Sequence, residues 1–319
     1  MEIKTIFPII KWKDRHDLFK ERKEQILETF YEIIPSEVYL KLLLGTIPLQ
    51  KIIPGEYLAE IKKMSKILGI PIETLVVGNV IYDLSTALGL MSYKCGCSLI
   101  ADSYEGLYRN LDWCIPFNMA DQTVIWDRGH YYDVGFPGFM GTVTAFNERR
   151  AVALNQAFPE PGSCVTAVGR TLSFLKDRVL YRYYSPVMSL RRVMDHDLDL
   201  IDSDGEYNYF TPAILTEVEF GETVRRADLY HNGEVAIYEE PLIVTTNHYM
   251  DEDDCRPEYP ELEDGYEMID SWSRKETIEE HLVDQMMCPE VLRDAINSVR
   301  DGEETAYTII VNDEGAEIY

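Results

Sequence analysis

A cysteine, an arginine and an aspartate lie close together in one short stretch of this chain, and these residue types can build a thiol nucleophile. Cys97 follows Gly96 and opens an apolar strand. Turn residues 103–106 lead into a second strand that carries Arg109 and Asp112. Because the two strands run side by side, we expect Arg109 and Asp112 to converge on the start of the first strand. Such a thiol could free itself by cutting its own chain, so an amide hydrolase is the first hypothesis.

Simpler structural interpretations stand beside this one. A cysteine on a strand often serves only as a small buried hydrophobic side chain. Cys95, two residues upstream on the same strand face, is a second candidate for the nucleophile. Arg109 and Asp112 could also form an ordinary structural ion pair.

Composition limits the classes of protein and of partner. The chain has 319 residues, of which 46% are hydrophobic, enough for one large domain or two modest ones. Its formal net charge of −26 would repel a nucleic-acid backbone and disfavours an anionic membrane surface. No apolar run approaches the length of a membrane-spanning helix.

The cysteines, the glycosylation sequons and the N-terminal residues bear on the cellular compartment. The six cysteines show no zinc-binding spacing, and no Asn-x-Ser/Thr sequon occurs. The first 14 residues contain too short an apolar run for a secretory signal. We therefore expect mostly reduced thiols and a cytoplasmic location. A lysosomal or secreted protein whose leader had been removed would look similar.

Hydrophobic periodicity predicts helices first and strands later. We expect residues 1–94 to be helical, with helices over 17–34, 55–68 and 72–84. From Cys97 onward the predicted strands are 97–101, 107–112, 123–126, 142–146, 151–154, 225–230, 234–238, 242–246 and 305–312. Further helices are predicted over 168–193, with an interruption near Pro186, and over 274–287 and 289–299. The acidic residues 251–270 read as a solvated loop.

Several motifs follow one another in a fixed order. They are residues 60–83, Cys97–Asp102, Arg109–Trp113, residues 138–158 ending in Leu-Asn-Gln-Ala-Phe, Thr246–Tyr249 with residues 253–256, and Tyr307–Ile310. In this order the chain resembles the acid ceramidase and N-acylethanolamine acid amidase group. That group lies in the choloylglycine-hydrolase branch of the N-terminal-nucleophile hydrolases.

The resemblance implies a fold and a processing step. The fold would be α+β, a four-layer αββα sandwich preceded by a helical pro-segment. The pro-segment would span residues 1–96 and the catalytic domain residues 97–319. Autoproteolysis between Gly96 and Cys97 would expose the α-amine of Cys97, which can take the proton of its own thiol. Glycine would help by tolerating a strained backbone at the cut.

The resemblance also assigns roles to site residues. Arg109 would stabilise the thiolate and hold Asp112 ionised, and Asp112 would orient the new amine. The Asn247 side chain and a backbone N–H near Asn155 would donate to the oxyanion. Gln156 stands where the family has a glutamate, and Arg256 completes the catalytic set, whereas Cys255 replaces a family arginine.

Two of these assignments have plain alternatives. Asn247 could be a turn residue after a strand, and Gln156 could be a hydrogen-bonding core group. His248 beside Asn247 reads as positional, because an α-amine removes the need for a histidine base.

The substrate implied by the resemblance is a small amphipathic N-acyl amide, such as a ceramide or an N-acylethanolamine. Neither a cofactor nor a metal is implied, and transient contact with lipid or a micelle is possible. The sequence leaves the oligomeric state open. Aromatic residues and methionines at 136–140 and 181–188 could line an acyl groove or form ordinary core. Two other functions stay open: an acyltransferase of the penicillin type and a catalytically silent lipid-binding homologue.

Overall fold

The computed structural model describes residues 1–33, 53–88, 95–113, 119–157, 183–200, 208–209, 213–230, 234–250, 271–300 and 305–319. In this part of the chain, helices accompany two large mixed β-sheets, which agrees with the predicted α+β class. The helices are α1 (Arg15–Glu21), α2 (Lys23–Ile33), α3 (Gly55–Leu68), α4 (Ile72–Leu88), α5 (Met119–Gln122), α6 (Pro186–His196), α7 (Ser271–Leu282) and α8 (Pro289–Asn297).

The predicted helix over 55–68 is confirmed with the same bounds, and Gly69 ends it in the left-handed conformation with φ of 64°. The first predicted helix is divided into α1 and α2, and α4 extends to Leu88 instead of residue 84. Residues 168–182 of a further predicted helix lie outside the described ranges, and its described part, α6, begins after Ser185.

One sheet has six strands and carries the predicted nucleophile. Its strands are β1 (Glu2–Thr5), β3 (Cys95–Asp102), β4 (Gly106–Trp113), β14 (Leu242–Thr245), β15 (Thr305–Val311) and β16 (Gly315–Ile318). Their order across the sheet is β1-β16-β15-β4-β3-β14. Strands β3 and β4 form the predicted hairpin, in which Gly96 lies opposite Asp112 and Leu99 lies opposite Arg109.

The second sheet has eight strands. These are β2 (Ile9–Lys11), β5 (Val124–Asp127), β6 (Tyr132–Gly135), β7 (Thr144–Phe146), β8 (Arg150–Gln156), β11 (Ala213–Glu219), β12 (Thr223–Leu229) and β13 (Val235–Glu240). Their order is β13-β12-β11-β8-β7-β6-β5-β2. A separate short parallel pair joins β9 (Tyr183–Tyr184) to β10 (Asn208–Tyr209).

The expectation that residues 1–94 are helical is wrong at the N-terminus. Strand β1 pairs in parallel with β16, and β2 pairs in parallel with β5, so this segment contributes a strand to each large sheet. Such short edge strands gain their hydrogen bonds from distant partners and leave little periodicity in the sequence. Strands β6, β11 and β16 were likewise missing from the prediction.

The two faces of β3 belong to different parts of the core, because side chains alternate along a strand. Cys97, Leu99 and Ala101 pack in the large core that also contains residues of the eight-stranded sheet. Ile100 packs instead with a smaller cluster from helices α7 and α8. Among the described helices, none has the length and apolar character needed to cross a membrane.

Candidate active site

The nucleophile candidate and the arginine lie on the same face of the β3–β4 hairpin. Nη2 of Arg109 is 3.6 Å from Sγ of Cys97. The same nitrogen donates to the carbonyl oxygen of Leu154 at 2.6 Å, and Nη1 donates to the carbonyl of Val143 and to Oγ1 of Thr144. Arg109 is fully buried, so these acceptors fix its guanidinium beside the sulfur. A positive charge in that position stabilises a thiolate.

Tyr307 extends the hydrogen-bond network of Arg109 through Thr144. The hydroxyl of Tyr307 lies 2.8 Å from Oγ1 of Thr144. Burial raises the pKa of Tyr307 to about 12, although the charge of Arg109 and the hydrogen bond with Thr144 act in the opposite direction. Tyr307 is therefore protonated at neutral pH and can donate a hydrogen bond, but it does not supply a second anion.

Asp112 reaches the start of β3 from the opposite face of the sheet to Arg109, because the two residues are three positions apart on a strand. One of its carboxylate oxygens would lie 3.2 Å from a Cβ atom added to Gly96. Its other oxygen accepts a hydrogen bond from Oγ1 of Thr305 at 2.6 Å. The predicted convergence thus occurs at Gly96 and Cys97, with one charged group on each face.

Asn247 holds the amide nitrogen of the predicted cleavage site. The backbone N–H of Cys97 donates to Oδ1 of Asn247 at 2.8 Å, and Nδ2 of Asn247 donates to the carbonyl oxygen of Gln156 at 2.8 Å. The backbone N–H of Asn247 donates to Oγ of Ser271 at 2.7 Å. The resemblance predicts that the Asn247 side chain donates to the oxyanion. In the described structure its carbonyl oxygen, and not its amino group, faces Cys97.

Arg274, in the first turn of α7, is a site residue that sequence reasoning missed. Its Nη1 donates to the carbonyl oxygen of Cys97 at 2.8 Å and to Oγ of Ser98 at 2.7 Å. Its Nη2 donates to Oδ1 of Asn247 at 2.8 Å. One weak signal could have pointed to it: a cation in the first turn of a helix opposes the helix dipole and therefore needs a specific partner.

The space around Gly96 requires a glycine in the uncut chain. Its φ lies outside the left-handed region, so a positive φ is not the reason for glycine here. A Cβ atom there would lie 3.2 Å from Oδ2 of Asp112 and 3.4 Å from Cζ of Arg274. Glycine is therefore the residue that lets these two charged groups approach the backbone at the predicted cut.

Asn155 and Gln156 lie at the end of β8 and contact the segment around Asn247. Nδ2 of Asn155 donates to the carbonyl oxygen of Thr246 at 2.9 Å, while Gln156 contributes its backbone carbonyl to Asn247. Both side chains are buried. The contact of Asn155 therefore fixes the backbone before Asn247, and that of Gln156 fixes the side-chain amide of Asn247.

His248 supports the same backbone from the other side. Its Nδ1 lies 2.8 Å from Oγ of Ser271, and its ring stacks on Trp272 with centroids 4.3 Å apart. The side chain is buried. This agrees with the positional interpretation of His248, since Ser271 also receives the N–H of Asn247.

The sulfur is not accessible from solvent in the continuous chain, because Cys97 is only 1% exposed. In this state the thiol is shielded from external substrates. Phe136, Phe139, Met140 and Met188, which were suggested for an acyl groove, are also buried in the large core.

Some predicted residues fall outside the described ranges. These are Arg256 with Asp253, Asp254 and Cys255, and also Tyr181. The side chains of Cys95, Tyr183 and Tyr184 are likewise not described.

No family model matches this chain, and no curated protein matches it significantly.

Proposed function

We propose that this protein is an amide hydrolase whose nucleophile is Cys97, released as an N-terminal residue by self-cleavage after Gly96. The observation that carries the proposal is the contact of 3.6 Å between Nη2 of Arg109 and Sγ of Cys97, at a residue whose amide nitrogen is held by Asn247. A structural cysteine needs neither contact.

The self-cleavage step uses only groups at this site. Sγ of Cys97 attacks the carbonyl carbon of Gly96, the C–N bond breaks, and the thiol proton passes to the departing nitrogen. The product is a thioester between Gly96 and Cys97 with a free α-amine. Water then hydrolyses the thioester, which leaves a carboxylate on Gly96 and restores the thiol. The positions of Asn247 and Arg274 support this step, because they hold the N–H and C=O of Cys97.

The same groups would serve an external amide. An α-amine titrates near pKa ~8, so part of it is neutral at neutral pH and can accept the proton of the thiol. Thiolate attack on the substrate carbonyl expels the amine product and gives an acyl-enzyme, which water hydrolyses. Asp112 lies beside Gly96 and would face the new amine, while Oδ1 of Asn247 accepts one of its protons.

The arrangement of the elements supports the finer fold assignment. The Cys97 face of the six-stranded sheet packs with the eight-stranded sheet, and helices α7 and α8 cover its other face. Helices α4 and α6 contact strand β8 of the eight-stranded sheet. We therefore propose the four-layer αββα sandwich of N-terminal-nucleophile hydrolases, with β1 and β2 of the first segment built into it.

The substrate class rests on the resemblance. We propose an N-acyl lipid amide, in which a long acyl chain is joined to a small polar amine. Because Cys97 is buried before the cut, binding of such a substrate would require the change that follows cleavage.

Intact-mass analysis of the purified chain under denaturing conditions tests the proposal. We expect two fragments, residues 1–96 and 97–319, which appear with time and whose larger member is labelled by an acyl-mimicking electrophile on its first residue. Cys97→Ala should stay whole and unlabelled. Cys288→Ala, which removes a half-buried cysteine at the start of α8, should behave as the unchanged protein.

Two outcomes would contradict the proposal. One is a chain that stays whole at every pH between 4 and 9. The other is a Cys97→Ala variant that hydrolyses N-acyl amides as fast as the unchanged protein. A whole chain that still binds such lipids would favour the silent lipid-binding homologue.

A further inference from the structure

We propose that Asn79, on the segment that precedes the cut, is a positioning residue for the catalytic arginine. This inference rests on the proposed function. Residues 1–96 would then have a role after cleavage. The cleaved enzyme would depend on the side chain of Asn79 in this segment to keep Arg109 beside Cys97.

Asn79 is a buried polar residue on an apolar helix. It is fully buried on α4, where Val76, Val77 and Val80 are also buried in the large core. Burial of a side-chain amide is unfavourable unless its donors and acceptor are satisfied. The contacts of Asn79 must therefore account for its presence there.

The hydrogen bonds of Asn79 hold a turn that lies after the predicted cut, in the segment 97–319. Nδ2 of Asn79 donates to the carbonyl oxygen of Leu75, on its own helix, at 2.8 Å, and to that of Gly138 at 3.0 Å. Its Oδ1 accepts the backbone N–H of Met140. One side chain thus holds both sides of the turn at Gly138–Met140, where Gly138 has a φ of 88°.

This turn leads directly to the groups that hold Arg109. The carbonyl oxygen of Met140 accepts from Nη1 of Arg191 at 3.0 Å. Three residues further on, the carbonyl of Val143 accepts from Nη1 of Arg109, as does Oγ1 of the next residue, Thr144. Movement of the turn would therefore displace acceptors that set the distance between Arg109 and Cys97.

A second residue on the same face of α4 also contacts the segment 97–319. Asp83, four residues after Asn79, accepts a hydrogen bond from Oγ of Ser185, the residue that caps the N-terminus of α6. Helix α6 packs closely on the chain that follows the turn, because a Cβ atom added to Gly141 would lie 2.8 Å from Cγ2 of Val187. Helix α4 thus holds the turn and also the helix that packs on the chain directly after the turn.

The test compares Asn79→Ala with Val76→Ala, a change on the same helix that removes buried methyl groups but no side-chain hydrogen bond, because valine has no polar side-chain atom. For each chain we would measure the self-cleavage rate by intact mass, the labelling rate of the 97–319 fragment by the acyl-mimicking electrophile, and the melting temperature. We expect Asn79→Ala to slow both reactions roughly 10- to 100-fold, as misplacement of a catalytic group does. Val76→Ala should lower the melting temperature and change both rates less than about twofold.

Asn79→Asp keeps the proposal testable if Asn79→Ala does not fold. A neutral aspartic acid has the shape of asparagine and one remaining donor, whereas the carboxylate would face the carbonyl oxygen of Gly138. The ratio of variant to wild-type rate should therefore rise as pH falls. A ratio that does not change with pH, or wild-type rates in Asn79→Ala, would overturn the inference.

The controls separate this inference from the proposed function. If the unchanged protein neither cleaves nor reacts at Cys97, both fail together. If it cleaves and reacts but Val76→Ala slows both reactions as much as Asn79→Ala at an equal loss of melting temperature, only the positioning role of Asn79 fails.

Discussion

The guanidinium of Arg274 donates to the carbonyl oxygen of Cys97 at 2.8 Å, although the two residues are 177 positions apart in the chain. The same side chain reaches Asn247, which in turn holds the amide nitrogen of Cys97. Both polar groups of the Cys97 backbone are therefore held by side chains. This is the arrangement expected if the peptide before Cys97 must be presented to the thiol in a fixed geometry.

Loss of Arg274 should therefore slow self-cleavage. We expect Arg274→Met to reduce the rate by roughly 10²-fold, since a misplaced reacting group costs about that much, and Arg274→Lys to reduce it less. The rate is read from intact mass over time. Glu279→Gln, on an exposed part of the same helix, should leave the rate unchanged. Cleavage of Arg274→Met at the wild-type rate would remove Arg274 from the site.

Arg109 should also matter for stability. Arg109→Met removes a charged donor from the buried carbonyl oxygens of Val143 and Leu154, and a hydrogen bond to a charged group contributes about 1.5–3 kcal/mol. Urea unfolding in a Cys97→Ala background measures the loss without interference from cleavage. The matched control is Arg293→Met, which breaks the half-exposed pair with Glu317 and should cost less than about 1 kcal/mol. Equal losses in the two variants would contradict the described environment of Arg109.

Substitution of Gly96 should affect the cut and spare the fold. In Gly96→Ala the new methyl group meets Asp112 and Arg274 at 3.2 and 3.4 Å, so at least one of them must shift. We expect self-cleavage to slow about tenfold, because both groups border the reacting peptide. Gly55→Ala adds a methyl group that meets nothing within 4 Å and should cleave normally. Normal cleavage of Gly96→Ala would show that the space at Gly96 is not limiting.

The folded chain should lose stability in acid, in part through Glu60. Burial alone would raise the pKa of Glu60, but the charges of Arg191 and Arg15 outweigh it, so its pKa is lowered. A carboxyl group with a lowered pKa in the folded state stabilises that state above its unfolded value of ~4.3, and this contribution is lost as pH falls through the folded value. The free energy of unfolding should therefore decrease as pH falls below about 4.

Glu60→Gln should remove this part of the pH dependence. At neutral pH it leaves Arg191 without the carboxylate now 2.8 Å away, at a cost of about 1–3 kcal/mol. Urea unfolding of the Cys97→Ala chain between pH 3 and 7 measures both effects. Asp17→Asn, which alters an exposed pair with Lys20, is the control. An unfolding free energy of Glu60→Gln that falls with acid as steeply as that of the parent would contradict the prediction.

The local pattern of apolar and turn residues was sufficient to predict much of the secondary structure. The β3–β4 hairpin follows from two apolar runs on either side of a short turn, and α3 follows from its apolar face and the glycine that ends it. The edge strands β1 and β2 could not be predicted in this way. Their partners β16 and β5 are distant in sequence, and hydrogen bonding to a partner leaves no period in a strand of three or four residues.

In the candidate site, too, contacts that are local in sequence could be predicted and contacts between distant elements could not. The sequence by itself determined that Cys97, Arg109 and Asp112 share a hairpin, because strand pairing within a hairpin is local. Only the tertiary structure decided that Asn247 presents its oxygen to Cys97, and that Arg274 and Asn79 take part. These contacts form when elements far apart in sequence pack together, and burial then requires every polar group to find a partner. No spacing along the chain records which partner that is.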